Sequence, residues 1–152
     1  MNDVAPARTS ERLEPSKRAD HPILRQLAVR WEDIDIYGHV NNVVYLSFFD
    51  TAVNGWYVDE KLLVPGVSDR IFLVVETGAQ YFREIRFGDR VTCGIRTARL
   101  GRTSVTYDLA LFRNDEEEAC ARGRYTHVLV NRTARRPVVI NGRHREVLDA
   151  AR

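Results

Sequence analysis

From Tyr45 to Tyr57 the apolar residues Tyr45, Phe48, Phe49, Ala52, Val53, Trp56 and Tyr57 recur at i, i+3, i+4 and i+7. That is the period of a helix burying one broad face, so the rest of the chain must supply a cover for it. Asn41 or Asn42 is placed to cap its start, because a side-chain amide oxygen can accept from unpaired first-turn amides. From Arg70 onward the period changes to two. Tyr81, Arg83 and Ile85 alternate with Phe82, Glu84 and Arg86 before a Gly88-Asp89 turn. A strand is expected from Arg90 to about Leu100, and after Gly101-Arg102 a second from Thr103 to Phe112 puts Val105, Tyr107, Leu109 and Leu111 on one face. An acidic turn from Asn114 to Glu117 leads to a last strand, Ala119 to Val130; Leu24 to Trp31 reads as the first, and Asn141 to Ala150 as a short closing helix.

The order is therefore strand, helix, then four strands. An antiparallel sheet can hide its apolar face by curling around the single long helix, an α+β arrangement. Such a sheet keeps unpaired edges, and pairing of two subunits covers them, so a homodimer is expected. The 152 residues are one domain's worth, and 44% hydrophobic with 29% charged residues is the balance of a packed core. Residues 1–22 differ: Pro6, Pro15 and Pro22 lie among charges with little apolar content, the composition of a flexible arm, disordered or loosely docked, leaving 23–152 as the folded domain.

Twenty-three basic residues against 21 acidic leave a formal charge of +2, too little for the phosphate attraction of a nucleic-acid binder. All but two of the basic residues are arginine, whose planar fork suits phosphates and carboxylates. Cys93 and Cys120 lack the spacing of a metal site or disulfide scaffold and read as reduced thiols. The N-terminus has no apolar signal-like run, and Ile71 to Val75 is too short to cross a bilayer, so a cytoplasmic protein without membrane insertion is expected.

The sequence contains no G-x-S-x-G, G-x-x-x-x-G-K-[ST], G-x-G-x-x-G or H-E-x-x-H motif, which removes the common hydrolase, phosphate-loop, dinucleotide and zinc-protease signatures. What stands out is the polar stretch Trp31 to Tyr45, between a strand and the helix start. It combines carboxylates, a glycine, a histidine and first-turn amides. Those amides carry partial positive charge and can stabilise an oxyanion, while Asp33 or Asp35 could attack a carbonyl or activate water.

The pattern Arg30-Trp31-x-Asp33-x-Asp35-x-x-Gly38-His39-Val40-Asn41-Asn42-x-x-Tyr45 resembles the signature of hotdog-fold acyl-CoA thioesterases of the 4-hydroxybenzoyl-CoA thioesterase type. Tyr81-x-x-x-Ile85-x-x-Gly88-Asp89-x-Val91 and Val128-Leu-Val-Asn-x-x-Thr133-x-Arg135-x-Pro137 are similar to later stretches of that family, so the likeness spans about residues 24–140. The resemblance implies a hotdog fold, a curved antiparallel sheet around one helix. It also implies that Asp35 is the catalytic carboxylate, as nucleophile or general base, that Asp33 supports it, and that the Asn42 backbone amide polarises the thioester carbonyl. Gly38 would let chain and substrate approach closely. The family's pairing of subunits implies a homodimer or homotetramer, and no metal or other cofactor is implied.

His39 is a candidate for orienting substrate or water, and Tyr45 for lining the pocket. Asp50, within the helix, is the reserve catalytic carboxylate, since another branch of the resembled enzymes uses a helix acid; otherwise it would pair with a strand arginine. Arg99, Arg102 and Arg124 are candidates for the coenzyme A phosphates. Alternatives are hydrolysis of a thioester on acyl carrier protein, and a non-catalytic module that binds acyl-CoA.

Overall fold

The computed structural model describes residues 11–152. Five strands, β1 (Ile23–Ala28), β2 (Arg70–Tyr81), β3 (Arg90–Leu100), β4 (Ser104–Arg113) and β5 (Ala121–Asn131), form one antiparallel sheet in the order β1-β3-β4-β5-β2. The helix α1 (Asn42–Asp59) packs on its concave face, and α2 (Gly142–Ala150) closes one end, where the Thr97 amide donates to Ala151 O at 2.7 Å. This is the hotdog arrangement.

The stripe on α1 is the core-facing one: Tyr45, Phe48, Phe49, Ala52, Val53, Trp56 and Tyr57 are all buried. Asn41 is the N-cap, its side chain accepting from the Val43 amide at 3.0 Å. Packing is tight enough to exclude a side chain at Gly123 on β5, where a Cβ would sit 2.6 Å from Phe49 Cε2. β4 runs through the middle of the sheet and is buried on both faces.

Two expectations need correction. β1 ends at Ala28, because residues 31–33 form a 3-10 turn tied by Asp33, and Trp31 is left exposed. β2 stops at Tyr81 instead of alternating on to Arg86: the Phe82 and Arg83 amides both donate to Cys120 O, which turns the chain off the ladder. The described part of the expected arm, residues 11–22, is docked on the outer face of the sheet. Ser16 O accepts from the Ala119 amide at 2.9 Å, Arg18 donates to the Asn114 and Glu116 carbonyls, and His21 is buried against Phe112 and Gly94. Composition hid this because the stabilisation comes from backbone bonds, the Arg18 side chain and one buried ring, which an apolar count does not register.

Inside the core a polar chain was not legible in advance. The Tyr57 hydroxyl lies 2.6 Å from that of Tyr107 and 2.9 Å from His127 Nδ1. Burial lowers His127 from its ordinary 6.5 to about 4, and the same cause lowers His21 and His144. Between those two values the unfolded chain takes up a proton that the folded His127 refuses. The contribution is therefore complete above pH 6.5 and is lost as pH falls toward 4. We predict that acidifying from pH 7 to 4 removes about 3 kcal/mol through this group, read as a falling urea midpoint, and that His127→Gln flattens that slope.

Candidate active site

The segment between β1 and α1 folds into a small hairpin. Ile34 and Val40 form an antiparallel bridge, the Asp35 amide donates to His39 O at 3.0 Å, and the Gly38 amide donates to Asp35 O at 3.1 Å. Gly38 closes the turn at φ 83°, in the left-handed region that glycine adopts without strain. Val40 then anchors the hairpin to the strand connection by donating to Ile85 O at 2.8 Å, and Asn41 donates to Asp33 O at 2.9 Å. These bonds fix how Asp35 stands relative to the helix start.

The two acids of the motif have separate environments. Asp33 is 1% exposed; it accepts from the Arg30 amide at 2.7 Å and the Arg30 guanidinium at 2.9 Å. Both its oxygens are occupied, so it holds the loop. Asp35 is half-buried, and one oxygen accepts from the Tyr37 amide at 2.9 Å. The other has no partner among the described residues and is available for chemistry.

Asp35, His39, Asn42 and Tyr45 line one cavity of about 410 Å³ at the N-terminus of α1. Gly38 does not line this cavity; it lies in the turn that carries Asp35 and His39. The Asn42 amide has no partner among the described residues, since the cap takes the next amide. It therefore offers a donor at the positive end of an 18-residue helix, in the same cavity as a carboxylate with a free oxygen. His39 Nδ1 lies 3.2 Å from Val40 O and Nε2 lies 3.8 Å from Glu84, with the ring stacked on Tyr37. Tyr45 is 3% exposed; its hydroxyl accepts from the Ile85 amide at 3.2 Å, and burial pushes it up to about 12, so it stays protonated at working pH.

The remaining wall was missed by sequence reasoning: Tyr81, Phe82, Arg83 and Glu84 come from the end of β2 and the turn after it. The Tyr81 hydroxyl donates to Asn42 O at 3.2 Å, and its ring meets Tyr45 edge-on with centroids 5.0 Å apart. Tyr81 thus braces the first turn of α1. We predict that Tyr81→Phe, which removes this bond and keeps the ring, lowers turnover several-fold with little change in stability, measured by steady-state kinetics beside thermal unfolding. The only signal for these residues was their alternation, which was read as strand.

The other candidates lie elsewhere. Asp50 is exposed on α1 and is bonded by the Asn54 side chain at 3.1 Å; among the described residues no arginine pairs with it, contrary to the strand partner expected. Arg99 and Arg124 share a groove on the outer face of the sheet, opposite the helix. Arg102 stands apart in the β3–β4 turn, where its carbonyl accepts from the Ile140 amide. Cys93 and Cys120 are free, buried thiols whose ionisation burial opposes. Among the described residues no three His, Cys, Asp or Glu side chains cluster as a metal site requires, and no helix is long and apolar enough to cross a membrane.

The chain is similar to known proteins along most of its length. The family model of the thioesterase-like superfamily matches residues 29–150. Among solved structures, the PA5185 protein of Pseudomonas aeruginosa strain PAO1 is 43% identical, over 91% of this chain and 97% of its own, with a TM-score of 0.88. A thioesterase of Thermus thermophilus, complexed with coenzyme A and Zn, is 30% identical over 86% of this chain and 94% of its own, with a TM-score of 0.70. The uncharacterized protein YsmA of Bacillus subtilis (strain 168) is 24% identical over 81% of this chain and 82% of its own length.

Proposed function

Because the chain belongs to the thioesterase-like superfamily, we propose that it hydrolyses acyl-CoA thioesters to a free acid and coenzyme A in the cavity beside the α1 N-terminus. One observation carries this reading: a carboxylate with a free oxygen, Asp35, and an unpartnered helix amide, Asn42, line the same cavity. The amide donates a hydrogen bond to the thioester oxygen as charge develops on it, which is where a preorganised donor accelerates acyl transfer. The free oxygen of Asp35 either attacks the carbonyl carbon, giving an anhydride that water cleaves, or takes a proton from the water that attacks. In each case the sulfur leaves with the bonding pair and takes a proton, from Asp35 in the general-base route or from water in the nucleophilic one, to emerge as the coenzyme A thiol.

Gly38 shapes the turn, and His39 and Tyr45 wall the acyl side. Arg83, held by Glu118 O at 2.7 Å, is the arginine that lines this cavity. The coenzyme A complex of the Thermus relative supports an acyl-CoA substrate. The two unpaired thiols accord with a reducing, cytoplasmic setting.

A second copy covers the free edge of β2 in this reading. That edge strand is 12 residues long, and Val74 and Val75 are 44% and 60% exposed on it. We predict a dimer or tetramer in sedimentation equilibrium, and a monomer for Val75→Lys; a wild type that sediments as a monomer contradicts the pairing.

The function is tested by comparing acyl-CoA with the same acyl group on acyl carrier protein. Thiol release with kcat/KM higher for acyl-CoA is expected. The reverse preference assigns the carrier-protein thioester, and tight acyl-CoA binding without release assigns a non-catalytic module.

A further inference from the structure

The outer face of the sheet carries a cluster that the hydrolytic cavity does not use. Arg96 on β3, Asp108 on β4 and Arg124 on β5 are direct cross-strand neighbours. Arg122, two residues before Arg124, lies on the same face, and the β3 irregularity between Thr97 and Arg99 brings Arg99 opposite Thr106 on that face as well. A groove of about 340 Å³ results, lined by four guanidiniums and one carboxylate, with Leu13 of the docked segment as a wall.

The charges of this groove are unevenly matched. Asp108 accepts from Arg122 through both oxygens at 2.8 Å and from Arg96 at 2.5 Å, so its capacity is filled. The Glu14 carbonyl holds Arg122 from the other side at 3.0 Å. Two arginines are thus locked in place by a nearly buried acid. Arg99 and Arg124 have no ion-pair partner among the described residues, although Arg124 stands directly across from Asp108. The buried Arg96 Nε–H also lacks an acceptor among the described residues. Donors therefore outnumber acceptors around a concave, partly preorganised site, which is the chemistry that binds a multiply charged oxyanion.

We propose that this outer-face groove is an anion site for a diphosphate group, with Arg99 and Arg124 as its free binding arms and Arg96 and Arg122 as its fixed base. The group could come from a free nucleoside diphosphate or from the diphosphate of a coenzyme A molecule. The site itself does not rest on the hydrolase reading, because binding is measured without turnover; only the assignment of its source to coenzyme A does.

Calorimetric titration of the full-length protein with ADP and with inorganic pyrophosphate tests it. Saturable binding that weakens with salt is expected, and Arg99→Glu and Arg124→Glu should each weaken it about 10- to 100-fold. Arg143→Glu, on α2 and paired with Glu60, is the control for general charge and should leave it unchanged. Both reversals lie at exposed strand positions, and circular dichroism verifies the fold. No saturable binding to the wild type, or equal weakening by Arg143→Glu, overturns the site. The source is read from KM: a rise confined to acyl-CoA, with acyl-pantetheine unaffected, identifies the coenzyme's own diphosphate. Unchanged KM with lost ADP binding identifies the free nucleotide.

Discussion

Asp35→Asn should lower kcat by about a thousandfold while leaving fold and assembly intact. A positioned carboxylate that moves a proton or attacks directly contributes on the order of 10²–10⁴ in rate, and an amide can do neither. The substitution is nearly isosteric, and the bond that places the side chain survives, since an amide oxygen still accepts from the Tyr37 amide. KM should change little because the Asn42 amide and the cavity wall remain. The contrast with Asp33 sharpens the test. Asp33→Asn puts a neutral group where the carboxylate now takes the Arg30 amide and guanidinium at 1% exposure, so its main effect should be on unfolding. Kinetics and denaturation of the two variants side by side separate the chemical acid from the structural one.

Phe49→Ala should cost about 3–5 kcal/mol, the scale of a fully buried aromatic truncation. The ring is fully buried, meets Tyr125 edge-on with centroids 5.9 Å apart, and presses on the backbone of Gly123. Removing it opens a cavity between α1 and β5, which the facing strand cannot fill by moving while its ladder holds. Gly123→Ala attacks the same contact from the opposite side by overfilling it, at about 1–3 kcal/mol. A smaller ring-free residue at 49 should absorb part of that strain. The pair Phe49→Leu and Gly123→Ala should therefore lose less than the sum of the two single changes, measured by urea unfolding.

The helix was legible because its signal is local: seven buried residues at one period, with the cap just before them. The hairpin motif was legible because Asp35, Gly38 and Asn42 are close in sequence. The far wall of the cavity was not. Tyr81 and Glu84 reach it only through the long antiparallel pairing of β2 with β5, and the point where β2 leaves the ladder depends on Cys120 O, nearly forty residues on. Spacing also left the roles of the two acids open, since it is the folded loop that brings Arg30 onto both oxygens of Asp33. The arginines illustrate the same limit. Arg99 and Arg124 line one groove because β4 lies between their strands in register, whereas Arg102, nearer to Arg99 in sequence, is carried off by the turn. The docked segment escaped notice because its ring, His21, sits where Gly94 leaves room, a complementarity that no single stretch of sequence displays.

The most direct test of the central claim is the number of coenzyme A thiols released per protomer when wild-type protein meets an excess of acyl-CoA. Many equivalents per protomer, at a rate proportional to protein and lost in Asp35→Asn, is the predicted result. At most one equivalent, or release that Asp35→Asn sustains at full rate, contradicts a hydrolytic centre at Asp35 and the α1 N-terminus.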